Sequence, residues 1–339
     1  MRAMGFTQYG NADVLHPIDM PVPAPGPRDL LIEVVATAIN PVDYKIRGSG
    51  RGMQRPFPVV LGYDVCGRVA ATGGGVERFK VGDVIYASPS IGRNGANAEY
   101  VLVDERTAAM KPESLSVEQA AALPLVTLTA WESLHVRAAM RPGETVFIQG
   151  GAGGVGHVAI QLAHHQGCRV ITTAGQPESI GLCEKCGADV VLNYRECDVV
   201  DELKKLTAAS GGGEGVPVAL DCVGGAGLEQ CMDAIAFNGR VVGIVHTKTD
   251  TIFDKLFKKS ATLHAEFMGV GPITGIGIER HGRILRMAAE LADAGKLKPH
   301  IAKVIGLDDI PAAHREIEQR HVVGKIVVKV KKSYTSRGQ

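Results

Sequence analysis

Hydrophobic positions in this chain follow two rhythms, and the change between them falls near residue 116. Before it, apolar residues alternate or run in short blocks, as in DLLIEVVATAIN, VVLGYDVCGRVAATG, FKVGDVIYAS and AEYVLVDE. Blocks of that length bounded by glycine and proline predict strands. Pro21, Pro23, Pro25 and Pro27 keep the N-terminal segment extended, because each fixes φ and removes a backbone donor. The first stretch is therefore a small barrel-like, β-rich domain. From Ser116 the segment SVEQAAALPLVTLTAWESLHVRAAM is helical on both sides of Pro124, with Ser116 as the cap. Strands are then predicted at Thr145–Gln149, Arg169–Thr173, Val190–Tyr194, Pro217–Cys222, Arg240–Val245 and Thr262–Met268. Helices fall between them near 154–166, 177–186, 198–208 and 226–236. Strands alternating with helices make an α/β fold, a doubly wound parallel sheet with right-handed crossovers.

After Met268, GVGPITGIG predicts a mobile loop. A helix at 280–294, a strand around 300–305, a helix from Pro311 and a strand Gly324–Val330 follow. These pieces have no sheet of their own and are expected to rejoin the first domain. Residues 1–122 with 269–339 then form one domain, and 123–268 the inserted second. The polar tail from Lys331 is expected to fray.

The richest motif is TVFIQGGAGGVGHVAIQLAHHQG, residues 145–167. A short apolar strand breaks into glycines and resumes with helical spacing at Val155, Val158, Ala159, Leu162 and Ala163. Gly151, Gly153 and Gly156 satisfy G-x-G-x-x-G. The first glycine permits a tight turn, the second a close approach to a pyrophosphate, and the third close packing of helix on strand. The helix start adds free N–H groups and a positive dipole end. Between a strand and a helix this predicts a dinucleotide site.

The second strand carries the choice of dinucleotide. An NAD site places Asp or Glu about 20 residues after the motif, on the ribose hydroxyls. Here the strand ends Thr172-Thr173-Ala174-Gly175-Gln176, with no acid before Glu178. Without that carboxylate a 2′-phosphate is not repelled, which favours NADPH. The turn holds no Arg or Lys. The available donors are the hydroxyls of Thr173, Ser179 and Tyr194, with Arg195 behind them.

Composition narrows the class. The 339 residues are 45% hydrophobic and 22% charged, as in a soluble protein with a real core. Lys plus Arg number 37 against 36 acids, for a net charge of +1, so no basic surplus calls for nucleic acid or an anionic membrane. The N-terminus lacks an apolar run of signal-peptide length, so a cytoplasmic protein is expected. Seven scattered cysteines do not suggest a disulfide framework. Cys183 and Cys186 form a C-x-x-C, read as mid-helix thiols because no second pair accompanies them. No G-x-S-x-G appears and the eleven histidines do not cluster. His157 reads as a helix-start residue facing solvent or a neighbour.

AINPVDYKIRG, VLGYDVCGRV, VGDVIYA, LPLVTLTAWESL, GGAGGVG, ALDCVGG and VVGKIVV resemble, in order and over nearly the whole chain, the medium-chain dehydrogenase/reductase superfamily. The resemblance implies a GroES-like catalytic domain around a Rossmann cofactor domain. Zinc-dependent members carry cysteine where this chain has Asn40, and Gly-His-Glu where it has Gly62-Tyr63-Asp64. The four-cysteine lobe for structural zinc is also missing. The chain thus looks like the zinc-free quinone oxidoreductase branch, with no metal, and NPVDYK and GYDV look closest to enone and alkenal reductases. The resemblance further implies that Asn40 and Lys45 line nicotinamide and substrate, and that Thr129 contacts nicotinamide. It places Gly153, Gly154 and Val155 at the pyrophosphate, and Tyr194 at the adenosine phosphate. Cys222, Val223 and Gly224 fall at the ribose, Gly243, Ile244 and Val245 beside nicotinamide, and Lys325 at a late basic contact. Ser179 stands near a position where some relatives have lysine.

Conjugate reduction without a metal needs a cation or donor facing the carbonyl oxygen. Lys45 is the leading candidate, and it, Tyr63 or Tyr44 could relay a proton. Asp43 is read as orienting Lys45 or capping the helix after Pro41, and Tyr63 as packing against the cofactor or donating a proton. The expected activity is NADPH-dependent reduction of the C=C bond of an enone or alkenal. A quinone reductase is the alternative, and a non-catalytic NADPH-binding protein a third reading. A homodimer is expected, because ATLHAEFM would leave an exposed strand edge.

Overall fold

The computed structural model describes residues 1–50, 55–209 and 214–331. The chain forms two compact units, Met1–Leu125 with Gly269–Gln339, and Val126–Met268. The first opens with β1 (Arg2–Phe6), β2 (His16–Asp19), β3 (Asp29–Ala38), α1 (Pro41–Ser49) and β4 (Val59–Val60). It continues with β5 (Val65–Thr72), β6 (Val84–Ala87), β7 (Tyr100–Asp104), β8 (Ala108–Met110) and α2 (Val117–Ala121). Ser116 caps α2 as expected: its Oγ accepts from the Gln119 N–H at 3.2 Å, and Gln119 Oε1 accepts from the Ser116 N–H at 2.9 Å. The chain leaves this unit inside a single helix, α3 (Pro124–Trp131).

The second unit alternates β9 (Thr145–Gln149), α4 (Gly154–His165), β10 (Arg169–Ala174), α5 (Pro177–Lys185), β11 (Val190–Asn193) and α6 (Val199–Ala208). It ends with β12 (Val216–Asp221), α7 (Ala226–Ala234), β13 (Ile235–Gly243), α8 (Ile252–Phe257) and β14 (Thr262–Ala265). All strand pairs here are parallel, in the order β11-β10-β9-β12-β13-β14. That is the doubly wound arrangement, whose order reverses between β9 and β12. Its core joins Phe147, Ile171, Leu203, Ala219, Met232 and Val241 from strands and helices alike. β13 begins earlier than its apolar run suggests, because Ile235 pairs with Val216 ahead of a register shift.

The chain then returns through α9 (Val270–Thr274), α10 (Glu279–Asp293), β15 (Ile301–Gly306), α11 (Ile310–Glu318) and β16 (Lys325–Lys329). GVGPITGIG is thus not simply a loop. Its first half winds into α9, which Gly275 ends at a φ of 77°. β16 pairs antiparallel with β3 and parallel with β15, extending the sheet β15-β16-β3-β5-β6-β8. The first unit's core sets Phe6, Ile39, Leu61 and Tyr63 against Ile310, Ile326 and Val328, so its two chain segments share one interior. Among the described residues no helix is long and apolar enough to cross a membrane.

Candidate active site

In the first unit the candidate residues meet where β3 ends. Asn40 is fully buried at the start of α1. Its Nδ2 donates to Asp64 Oδ2 at 2.7 Å and to the Ala38 carbonyl at 3.3 Å, while its Oδ1 accepts from Lys325 Nζ. Lys325 Nζ also donates to the Ile39 carbonyl at 3.1 Å and to Asp64 Oδ2 at 3.1 Å. An ammonium has three N–H groups, and all three have acceptors within this unit. Lys325, expected as a cofactor contact, is here the buried counter-ion of Asp64. The other carboxylate oxygen of Asp64 accepts from the Leu125 N–H at 2.7 Å, in the first turn of α3, where a negative charge suits the helix dipole.

Asp43 caps α1, its Oδ2 accepting from the Asn40 N–H at 2.7 Å and its Oδ1 from the Gly62 N–H at 3.1 Å. Burial pushes its carboxyl up to about 7, against the pull of those two bonds and of Lys325. Gly62 has a φ of 99°, and a Cβ there would meet Asn97 Oδ1 at 2.5 Å, so only glycine fits. Tyr63 has a different place from an open proton relay. Its ring is fully buried among Met4, Phe6, Ile39 and Leu61, and its Oη accepts from Arg55 Nη2 at 3.0 Å. Burial holds its hydroxyl well above the usual phenol range. Lys45 is half-buried on the second turn of α1.

In the second unit, neighbouring strands β9, β10, β12 and β13 run parallel, so their C-terminal ends align. Gly150 turns the chain at a φ of 74°, and its N–H donates to Thr173 Oγ1 at 3.0 Å. The Gly151 N–H donates to the Thr173 carbonyl at 3.2 Å. A Cβ on Gly151 would lie 2.1 Å from Thr172 Oγ1 and 2.9 Å from Cys183 Sγ, and one on Gly156 would lie 2.2 Å from the Gly150 carbonyl oxygen. Gly153 caps α4, leaving Gly154 and Val155 as its first residues. Cys183 is thus a buried packing residue beneath the glycine turn. Cys186 lies not mid-helix but just past the end of α5, and burial pushes the two thiols up to about 12 and about 11. His157 is also buried, its Nδ1 2.9 Å from the Gly153 carbonyl oxygen.

Thr173 and Ala174 are buried at the end of β10, and half-buried Ser179 lies in the first turn of α5. The exposed Tyr194 ring covers Gly175, where a Cβ would lie 2.5 Å from Tyr194 Cζ. The Arg195 guanidinium is 6.0 Å from that ring's centroid and 2.9 Å from the end of the Gln176 side-chain amide, which accepts from it when its oxygen is turned that way. Farther along the sheet, the buried Asp221 carboxylate accepts from the N–H groups of Val223 and Gly224, both at 2.9 Å. Gly224, at a φ of 80°, lies against Val245, and the Ile244 N–H reaches the Asp221 carbonyl at 3.3 Å. Cys222, Val223 and Gly224 are thereby brought beside Gly243, Ile244 and Val245. Burial holds the Cys222 thiol well above its ordinary range. Thr129 is buried on α3. Among the described residues no group of three or more His, Cys, Asp or Glu side chains could hold a metal ion.

The family models for the alcohol dehydrogenase GroES-like domain and for zinc-binding dehydrogenase match residues 26–113 and 154–275. A human quinone oxidoreductase is 31% identical over 321 aligned positions, 94% of each chain. The chain belongs to the medium-chain dehydrogenase/reductases, quinone oxidoreductase branch. A zinc-type alcohol dehydrogenase-like protein of Staphylococcus epidermidis is 32% identical, covering 98% of this chain and 100% of that one. A mycobacterial structure complexed with NADPH is similar at a TM-score of 0.87 and 30% identity, over 97% of this chain and 100% of that one. The chain is accordingly an oxidoreductase, with the GroES-like and Rossmann-like folds of this family.

Sequence reasoning missed Arg55, Asp221 and the commitment of Asp64 to Lys325. The last had no local signal: Asp64 stands in the Gly62-Tyr63-Asp64 motif, but its partner Lys325 lies 261 residues away. Two outcomes follow from this geometry. Gly156→Ala should lower stability by about 1–3 kcal/mol through overpacking and weaken dinucleotide binding, read by thermal unfolding and cofactor titration. Unchanged binding would show that the tight packing of α4 is not needed. Asp43 titrates near 3.8 when unfolded and about 7 when folded, so its contribution is full below the lower value and is lost as pH rises through the upper one. The unfolding temperature of the natural chain should therefore fall from pH 5 to 8 relative to Asp43→Asn; parallel curves would exclude this titration.

Proposed function

We propose that the protein reduces the C=C bond of α,β-unsaturated carbonyls with NADPH, without zinc, as a cytoplasmic homodimer. The observation that carries the zinc-free reading is the commitment of Asp64. Zinc sites are built from thiolate, imidazole and carboxylate. At the positions matching the zinc ligands stand an amide, Asn40, a core phenol, Tyr63, and a carboxylate already neutralised by Lys325. That donor set does not fit a zinc ion. The dimer is supported by β14, an edge strand of its sheet that a second copy could pair with.

NADPH is supported by three features of the second unit. The glycine turn leaves the N–H groups at the start of α4 for a pyrophosphate. No acid stands at the end of β10; the Tyr194 ring lies on Gly175 with Arg195 beside it, and Ser179 follows in the first turn of α5, a set of donors suited to a 2′-phosphate. The similar mycobacterial structure complexed with NADPH agrees with this choice. Bound NADPH supplies a hydride. When the β-carbon of the acceptor takes it up, the C=C pair shifts toward the carbonyl and an enolate forms. Lys45 then provides a proton to the α-carbon, completing the saturated ketone or aldehyde. Quinone reduction is the second reading, favoured by the quinone oxidoreductases among the relatives.

A panel of enones, alkenals and quinones, followed by loss of NADPH absorbance, tests this. Enone turnover should be fast and fall ~100-fold in Lys45→Ala, the low end of acid–base contributions. Quinone turnover indifferent to Lys45 would favour the second reading, and binding without oxidation of any acceptor would favour a non-catalytic protein. Separately, Arg195→Met should weaken NADPH binding about tenfold, the value of one charge-assisted contact, and leave NADH binding unchanged. Equal loss for both cofactors would remove Arg195 from the 2′-phosphate site.

A further inference from the structure

Arg55, just ahead of β4, carries a half-buried guanidinium that no carboxylate neutralises among the described residues. Its Nη1 donates to the Arg93 carbonyl and its Nη2 to Tyr63 Oη at 3.0 Å, and neither acceptor is charged. Both acceptors are fixed. Arg93 is tied by a two-pronged ion pair to Asp29, at 2.7 and 2.9 Å. Tyr63 is immobilised in the core, and its carbonyl accepts from Ser88 Oγ at 2.7 Å. A guanidinium offers five N–H groups in a rigid fork, and three of them have no acceptor among the described residues. Partial burial of a cation is unfavourable unless an opposite charge meets it. The next residue after Tyr63 is Asp64, which holds Asn40, so this fork and the Asn40 network share one stretch of backbone.

We propose that Arg55 is a catalytic residue that receives an anionic oxygen of the acceptor in its three free N–H groups. The inference rests on the conjugated-carbonyl reading and names the group that holds the developing charge. As the β-carbon gains hydride, the electron pair of the C=C bond becomes the new C=C of the enolate. The carbonyl π pair then settles on oxygen, opposite the guanidinium. Arg55 keeps its proton throughout. Tyr63 is the positioning residue that aims it, and Lys45 remains the proton source. The same fork would hold the oxygen of a reduced quinone or a carboxylate carried by the substrate.

Arg55→Met, Arg55→Lys and Tyr63→Phe test this in the full-length protein with NADPH. Arg55→Met should lose about 100-fold or more in kcat on a neutral enone, as when an oxyanion donor is removed, with NADPH affinity and unfolding temperature kept. Added guanidinium ion should restore part of that loss, which a merely structural arginine would not permit. Arg55→Lys and Tyr63→Phe should fall in between. An enone bearing a carboxylate separates the two sources of anionic oxygen: loss mainly in KM would place a standing carboxylate in the fork, and loss in kcat the enolate. Benzoate titration of the NADP⁺-loaded protein keeps the test independent of turnover. Its affinity should drop at least about tenfold in Arg55→Met, the loss of a charge-assisted pair. Unchanged benzoate affinity with unchanged kcat, or loss of NADPH binding in step with activity, would overturn the proposal.

Discussion

One buried carboxylate organises the first unit. Asp64 joins the end of β3 through Asn40, the last strand through Lys325 and the first turn of α3 through the Leu125 N–H. Removing a single partner from such a cluster leaves a desolvated charge, which is far more costly than never having built the pair. The arrangement is therefore all-or-none, and it fixes the orientation of the Asn40 amide. With Oδ1 on an ammonium and Nδ2 on a carboxylate, that amide has one stable rotamer.

The second unit uses the same device at smaller scale. Asp221, at the end of β12, gathers the N–H groups of Val223 and Gly224 and bends the following turn toward Val245. Burial raises its carboxyl while the N–H groups oppose that shift, so the turn and the ionised form support each other. Around the glycine motif the controlling term is steric. Thr172 Oγ1, Cys183 Sγ and the Gly150 carbonyl occupy the volume that side chains at 151 and 156 would need.

What was legible in the sequence follows from range. The six parallel strands and four of their helices were readable because apolar spacing and glycine turns are local, and the glycine motif is contiguous; the short α8 before β14 was missed. The short helix α9 was not readable: its apolar periodicity covers barely one turn between glycines. The inward seat of Tyr63 and the partners of Lys325 and Arg55 depend on residues far along the chain or on burial. Lys325 and Asp64 lie 261 residues apart, and no spacing rule connects them. His157 illustrates the same limit, since a polar residue at a helix start gives no local sign that it is buried.

The last strand has a consequence during biosynthesis. Lys325 reaches Asn40 across 285 residues, so the first unit lacks a strand and its central cation until Lys325 itself has left the ribosome. At elongation rates of about 5–20 residues/s, that interval is roughly 15–60 s. The inserted Rossmann-like unit is contiguous and is fully synthesised well before the first unit is complete. During that wait residues 36–38 of β3 lack their β16 partner, while residues 29–33 pair with β7, and Asp64 lacks Lys325. The N-terminal sheet is therefore completed only when β16 has been made, long after the strand β3 that it pairs with.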